Sequence, residues 1–215
     1  MNLRGRIFYG AGELGPAMAG STMVFFQLVF LTDVAGLAPS LAGTVLLLAR
    51  IWDAVNDPLI GMLSDRTRSA WGRRLPWMTG AAPPFALFFV AFWLVPEPVA
   101  SPDAQGAKFL YYLVVALAYS ASVTAFGLPH TALTAEFSRD YDERSQLTAA
   151  RMGFSLGGSV GGLLVALVVF RLLDNAPPVF QYAVFGGCVG LIGFGAAAAC
   201  IAGIWKIAPR GAACS

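Results

Sequence analysis

Two carboxylates stand four residues apart in the run Leu48-Ala-Arg50-Ile-Trp-Asp53-Ala-Val-Asn56-Asp57-Pro58-Leu-Ile-Gly61. On a helix that spacing puts Asp53 and Asp57 on one face, about one turn apart. Carboxylates this close repel each other when both are ionised, and a proton, an arginine or a metal cation between them relieves the repulsion. Sodium is a hard cation, and hard cations take oxygen ligands. Two carboxylates, the amide oxygen of Asn56 and a hydroxyl would make a suitable shell. The plainer structural reading is an Arg50–Asp53 ion pair with Asp57 near a helix end. Pro58 frees a backbone carbonyl upstream, which can kink the helix or act as a ligand.

Other polar groups sit in apolar surroundings, where ionisable residues are costly and tend to be functional. Glu13, in Tyr9-Gly-Ala-Gly-Glu13-Leu-Gly-Pro16, either lines a cavity or lies near the inner interface. Arg151 stands several residues into a glycine-rich apolar run. It can snorkel to the cytoplasmic face, bind an anionic or hydroxyl-bearing solute, or pair with a carboxylate. His130 follows Pro129, and a lone histidine serves either as a hydrogen-bonded structural residue or as a proton relay. Thr124 adds a hydroxyl nearly two turns earlier. Between Gly61 and Arg74 the sequence is dense in arginine, with one aspartate, Asp65. It reads as positive-inside anchoring, or as a gating loop in which Asp65 pairs with arginines such as Arg73 and Arg74 in one conformation.

The elements that must hold these groups are apolar. Of the 215 residues, 57% are hydrophobic and 12% charged, with mean hydropathy +0.68. A water-soluble domain carries about twice that charge. Six segments approach the roughly 20 apolar residues that cross a bilayer: residues 7–32, 40–63, 75–95, 108–133, 148–169 and 180–204. An all-α membrane protein with one six-helix domain over residues 1–215 is expected. Lysine and arginine set the orientation. Arg4, Arg6, Arg66, Arg68, Arg73, Arg74, Arg139, Arg144, Lys206 and Arg210 fall on one side; only Lys108 and Arg171 fall on the other. That alternation fits an even number of spans with both termini in the cytoplasm, in a plasma membrane such as a bacterial inner membrane. The basic start leads into a retained first helix, since its apolar run is too long for a signal peptide.

The net charge of +2 indicates no nucleic-acid partner. Cys188, Cys200 and Cys214 show no metal or disulfide spacing and read as small apolar fillers. Gly153, Gly157 and Gly161 recur every four residues, as do Gly158 with Gly162 and Gly186 with Gly190. Such spacing lets helix backbones approach, for static packing or for a sliding contact. No nucleophile–base pair, metal cluster or phosphate loop is present, so an enzyme is not expected.

Several of these stretches resemble a known family. The Gly61…Asp65-Arg66…Gly72-Arg73-Arg74 loop is similar to the signature loop of the major facilitator superfamily. The segment Ala49–Gly61, followed by Thr67-Arg68-Ser-Ala-Trp71-Gly72-Arg-Arg-Leu-Pro76-Trp77, resembles the melibiose-permease-like glycoside–pentoside–hexuronide:cation symporters. Tyr9-Gly-Ala-Gly, Phe30-Leu-Thr-Asp33-Val-Ala-Gly-Leu37 and Asp142-Glu-Arg144-Ser-Gln-Leu fit the same pattern, so the resemblance covers almost the whole chain.

The resemblance implies a cation site at Asp53, Asn56, Asp57 and Thr124, for sodium or a proton, with no other cofactor. It implies a sugar-contacting arginine at Arg151. The fold implied is the N-terminal half of a twelve-helix transporter, itself a 3+3 repeat, with the substrate between two six-helix halves. Two sugar-binding aspartates of the melibiose pattern match Ala17 and Gly127 here, and a nearby tryptophan matches Thr131. The cation half of the pattern is kept and the melibiose half is largely lost; Glu13 or His130 are candidates to substitute. The expected function is cation-coupled symport of a sugar or glycoside-like solute, the partners being solute, cation and lipid bilayer. The end of the sequence just past the sixth segment is expected to mark either a truncated product, the favoured reading, or a half that assembles with a second half-transporter. The rival expectation is a non-transporting scaffold or regulatory half-transporter.

Overall fold

The computed structural model describes residues 3–101, 103–137 and 140–205. Arg139, Lys206, Arg210 and Cys214 lie outside the described residues. Regular structure among the described residues is helical throughout: α1 (Leu3–Ala11), α2 (Leu14–Val29) with a π-helical turn at Phe30–Val34, α3 (Pro39–Arg66), α4 (Leu75–Phe92), α5 (Glu97–Ala100), α6 (Gln105–Phe137), α7 (Tyr141–Leu172) and α8 (Pro178–Ile204). A helix pairs its backbone groups within its own segment, as lipid requires.

Among the described residues, five helical stretches are long and apolar enough to cross a membrane: Leu3–Val34, Leu75–Phe92, Gln105–Phe137, Tyr141–Leu172 and Pro178–Ile204. Six were expected. The one that departs is α3. Its 28 residues rise about 42 Å, ample for the roughly 30 Å hydrocarbon core. What removes it is composition, because Arg50, Asp53, Asp57, Asp65 and Arg66 interrupt its apolar run.

The first segment differs from expectation too. It is not one helix over 7–32 but two, α1 and α2, broken at Gly12–Glu13. The break is a tight turn in which the Gly12 N–H reaches Tyr9 O at 3.3 Å and the Glu13 N–H reaches Gly10 O at 3.0 Å. Tyr9 O is thereby turned toward side chains of other helices. At the far end, the π-turn closes on Gly36, whose φ of +67° is a backbone that favours glycine. Lys108, expected at a span edge, is 3% exposed and donates from Nζ to Gly36 O at 3.3 Å.

α2 packs along α7, both α3 and α4 pack along α6, and α4 and α8 pair. Gly158 and Gly162 explain the first contact. A Cβ on Gly158 would meet Leu14 O at 2.7 Å, and one on Gly162 would meet Met18 O at 2.9 Å. The other glycine row, Gly153, Gly157 and Gly161, faces open space. The core holds two clusters. One is aromatic, around Phe30, Phe89, Trp93 and Tyr182; Trp93 and Tyr182 stack with centroids 5.6 Å apart. The other gathers Tyr9, Met78, Phe126, Leu133 and Cys200. Large apolar side chains such as Leu47, Ile51, Val55, Leu156, Val160 and Leu164 are exposed, an arrangement suited to lipid or to another helical partner rather than to water.

Candidate functional site

A cavity of about 440 Å³ opens between α2, α3 and α6. Asp53 and Asp57 both line it, because their spacing puts them on one face of α3. The opposing helix answers with the same spacing. Ser120 and Thr124, four apart on α6, also line the cavity. Ser120 Oγ donates to Asp53 Oδ1, and Thr124 Oγ1 donates to Asp57 Oδ1 at 2.8 Å. Arg50 stands beside them, with Nη1 3.6 Å from Asp53 Oδ2. The donor set of two carboxylates and two hydroxyls is all oxygen, which fits a hard cation. The rest of the wall is mainly apolar and includes Met23, Leu46, Phe92 and Val123.

Asn56 is placed differently from its neighbours. It is 4% exposed, does not line the cavity, and its Nδ2 has no hydrogen-bond partner. One residue before Asp57, it is rotated about 100° away around the helix. The amide therefore lies apart from the two carboxylates it was grouped with.

The three residues assigned to solute binding form a second cluster, at the break between α1 and α2. Glu13 Oε2 accepts from Arg151 Nε at 3.0 Å and Nη2 at 2.8 Å. His130 Nδ1 lies 3.4 Å from the same oxygen. Arg151 Nη2 also donates to Thr131 Oγ1 at 2.9 Å. Of the three readings open for Arg151, its geometry is that of a partner to a carboxylate. None of Glu13, His130 and Arg151 lines the cavity of the aspartates. Thr131 lies seven residues beyond Thr124 on α6, about 10 Å along the axis.

The loop after α3 forms a third group. Arg74 Nη2 lies 2.7 Å from Asp65 Oδ1, so the aspartate–arginine pairing expected of a gating loop is present in this conformation. Arg73 does not join Asp65. Its Nη2 sits 3.0 Å from Glu136 Oε1, which Arg74 Nε also approaches at 3.3 Å. Glu136, near the end of α6, thus ties this loop to the helix that carries Thr124 and His130.

Some of these residues escaped sequence reasoning. Ser120 was findable, since its spacing from Thr124 mirrors that of the two aspartates. Glu136 had no local signal, and Thr131 was named only as the match to a tryptophan of the melibiose pattern, not as a partner of Arg151. Tyr9 mattered through its carbonyl, which a side-chain search passes over. Cys200 is more than a filler: its Sγ lies 3.7 Å from that carbonyl.

The sequence matches the profile of the MFS/sugar transport protein family over residues 8–210. The chain belongs to that family. It is similar to an uncharacterized symporter of Synechocystis sp., at 48% identity over 175 residues, covering 80% of this chain and 32% of the relative. It is similar to the sodium-dependent lysophosphatidylcholine symporter 1 of Gallus gallus, at 31% identity, covering 80% of this chain and 33% of the relative. An inner membrane symporter of Escherichia coli is 27% identical, over 84% of this chain and 39% of the relative. The chain spans about a third of the length of these curated relatives. It is an integral membrane protein of a symporter family, and the N-terminal-half resemblance read from its motifs fits this match.

Proposed function

We propose that this chain is the cation-binding half of a symporter, coupling inward movement of sodium or a proton to uptake of a solute. The observation that carries the reading is the pairing of Asp53 with Asp57 against Ser120 and Thr124 in one cavity. An ion there joins α3 to α6, so its arrival biases how those helices sit. Coupling then means that ion and solute each raise the other's affinity by the same factor. In this reading α3 is the sixth membrane-crossing helix, its charges facing a water-filled cavity rather than lipid. Both termini are cytoplasmic, and a second six-helix unit closes the cavity. The Arg73–Arg74–Asp65–Glu136 group holds the cytoplasmic end shut in one conformation and parts in the other.

The solute is a sugar or glycoside-like compound on the motif pattern, with Arg151 as its polar anchor once Glu13 yields. A second reading is an amphiphile with a charged head. The apolar cavity wall and the lysophosphatidylcholine symporter among the relatives favour it.

The test is sodium- and pH-dependent thermal stabilisation of the purified chain, with uptake into vesicles by a carrier containing it. The expected result is stabilisation by sodium or by protons that is lost in Asp53→Asn/Asp57→Asn. Stabilisation retained in that double variant refutes the cation site. A chain that binds neither ion nor solute, yet co-purifies with another membrane protein, supports a scaffold or regulatory half-transporter instead.

A further inference from the structure

His130 is the only histidine in the chain and is 1% exposed. Each of its ring nitrogens faces an acceptor. Nε2 lies 2.9 Å from Tyr9 O, and Nδ1 lies 3.4 Å from Glu13 Oε2. A neutral imidazole has one N–H and one lone pair. In this geometry it would aim that lone pair at an oxygen, leaving a buried acceptor facing an acceptor, which is unfavourable. A ring with two protons satisfies both contacts at once. The ring cannot easily turn to escape the choice. It lies 4.6 Å from the Tyr9 ring centroid and stacks on Phe126 at 5.8 Å.

The surroundings are built around this contact. A Cβ on Gly12 would sit 2.7 Å from Nε2, so glycine at the helix break is what lets the imidazole reach Tyr9 O. The Tyr9 hydroxyl returns the contact by donating to His130 O at 2.7 Å. The ionisable groups facing the ring come from every side: Tyr9 from α1, Glu13 from the break, Arg151 from α7 and Cys200 from α8. From α4 the same layer holds Leu75, Met78, Ala81 and Ala82, none ionisable. On α6 itself the flanking polar groups are Thr131 and Thr134, and Glu136 is engaged by Arg73 and Arg74.

We infer that His130 is a proton-binding site of the carrier, separate from the aspartate pair, and that its proton clasps the α1–α2 break to α6. With the proton on, His130 donates to Tyr9 O and to Glu13. With the proton lost, the remaining N–H keeps one partner and releases the other. Either the α1 carbonyl loses its tie to α6, or Glu13 loses one of its three donors and Arg151 becomes its sole charged partner. The site takes H⁺ itself, and its occupancy biases the one joint in the first membrane-crossing stretch. Its meaning as a coupled step rests on the proposed symport; the charge of the ring does not.

The experiment is nitrogen NMR of the full chain labelled with ¹⁵N-histidine, in phospholipid nanodiscs, titrated from about pH 5 to 8. One histidine gives one set of ring signals. The expected result is a ring with both nitrogens protonated, donating to Tyr9 O and to Glu13 as the two contacts require. Glu13→Gln, which removes the facing negative charge, lowers the ratio of doubly to singly protonated ring about tenfold at a given pH. Arg151→Gln removes a competing cation and raises that ratio. A neutral ring with a single tautomer across the whole range overturns the inference, as does a ratio unmoved by both substitutions. Transport is not read in this measurement, so its outcome stands apart from that of the symport reading.

Discussion

Arg50 gives the sharpest test of the cavity as an electrostatic site. The formally charged groups lining it are Arg50, Asp53 and Asp57, and +1 −1 −1 leaves a net charge of −1. Asp53→Asn brings that to zero, Arg50→Gln brings it to −2, and the double variant returns it to −1. A cation seated about 4 Å from the Asp53 carboxylate gains about 4 kcal/mol at an effective dielectric of 20 and about 1 kcal/mol in bulk water. The side chain of Asp53 is 35% exposed, so a value between these limits applies, about 2–3 kcal/mol. That makes Asp53→Asn about 30- to 150-fold weaker for sodium. Arg50 stands beyond Asp53, with Nη1 3.6 Å from Oδ2 and its side chain 71% exposed, so a cation seated as above is roughly 7 Å from it. Its repulsion is near the aqueous limit, about 0.6–1 kcal/mol. Arg50→Gln should therefore bind sodium about threefold to fivefold more tightly than the parent chain. The same substitution should recover that factor in the Asp53→Asn background. Sodium binding to purified protein, by calorimetry with choline as the balancing salt, reads all four proteins. The gain from Arg50→Gln should shrink at high ionic strength. Weaker binding in Arg50→Gln would show that the arginine orders the site rather than opposing the ion, and would refute the charge reasoning. So would an Asp53→Asn affinity equal to the parent's.

The glycine rows of α7 give a contrasting pair. Gly158→Val drives a Cβ against Leu14 O, a backbone atom that cannot swing away, and should cost about 1–3 kcal/mol as α2 and α7 separate. Its neighbour Gly157→Ala meets nothing and should be neutral or stabilising by up to about 1 kcal/mol; thermal unfolding in detergent ranks the two. The arginine loop gives another pair. Arg74 is 14% exposed and touches Asp65 and Glu136, while Arg73 is 56% exposed and shares only Glu136. Arg74→Ala should therefore open the loop to protease or thiol probes far more than Arg73→Ala, with stability losses of about 1–3 and under about 1 kcal/mol.

Much of the architecture was readable because lipid leaves the chain few options. From segment three onward the long apolar segments are helices, and their ends lie within about four residues of the expected bounds except that α7 starts at Tyr141 rather than at 148, since an unpaired backbone has no place in hydrocarbon. The break at Gly12–Glu13 was not readable. Nothing local separates Tyr9-Gly-Ala-Gly from a continuous glycine-containing helix. It is held by His130 and Cys200, which lie more than a hundred residues away. The status of α3 turns on composition instead: its length is ample, but its charges make it less apolar than the other long helices.

Asp53 and Asp57 needed only the helical repeat to share a face, and the family motifs needed only local order to be recognised. Those properties belong to the sequence. The family pattern named Thr124, but which hydroxyl answers which carboxylate belonged to the tertiary structure. Sequence spacing grouped Asn56 with the aspartates, while the packing of α3 on α6 turned it into the protein and supplied Ser120. It likewise joined Glu13, His130 and Arg151 into one cluster, but away from the aspartate cavity. Spacing along one helix sets an angle, and that angle is fixed by the backbone. A contact between helices depends on how two surfaces pack, and no single segment contains that information.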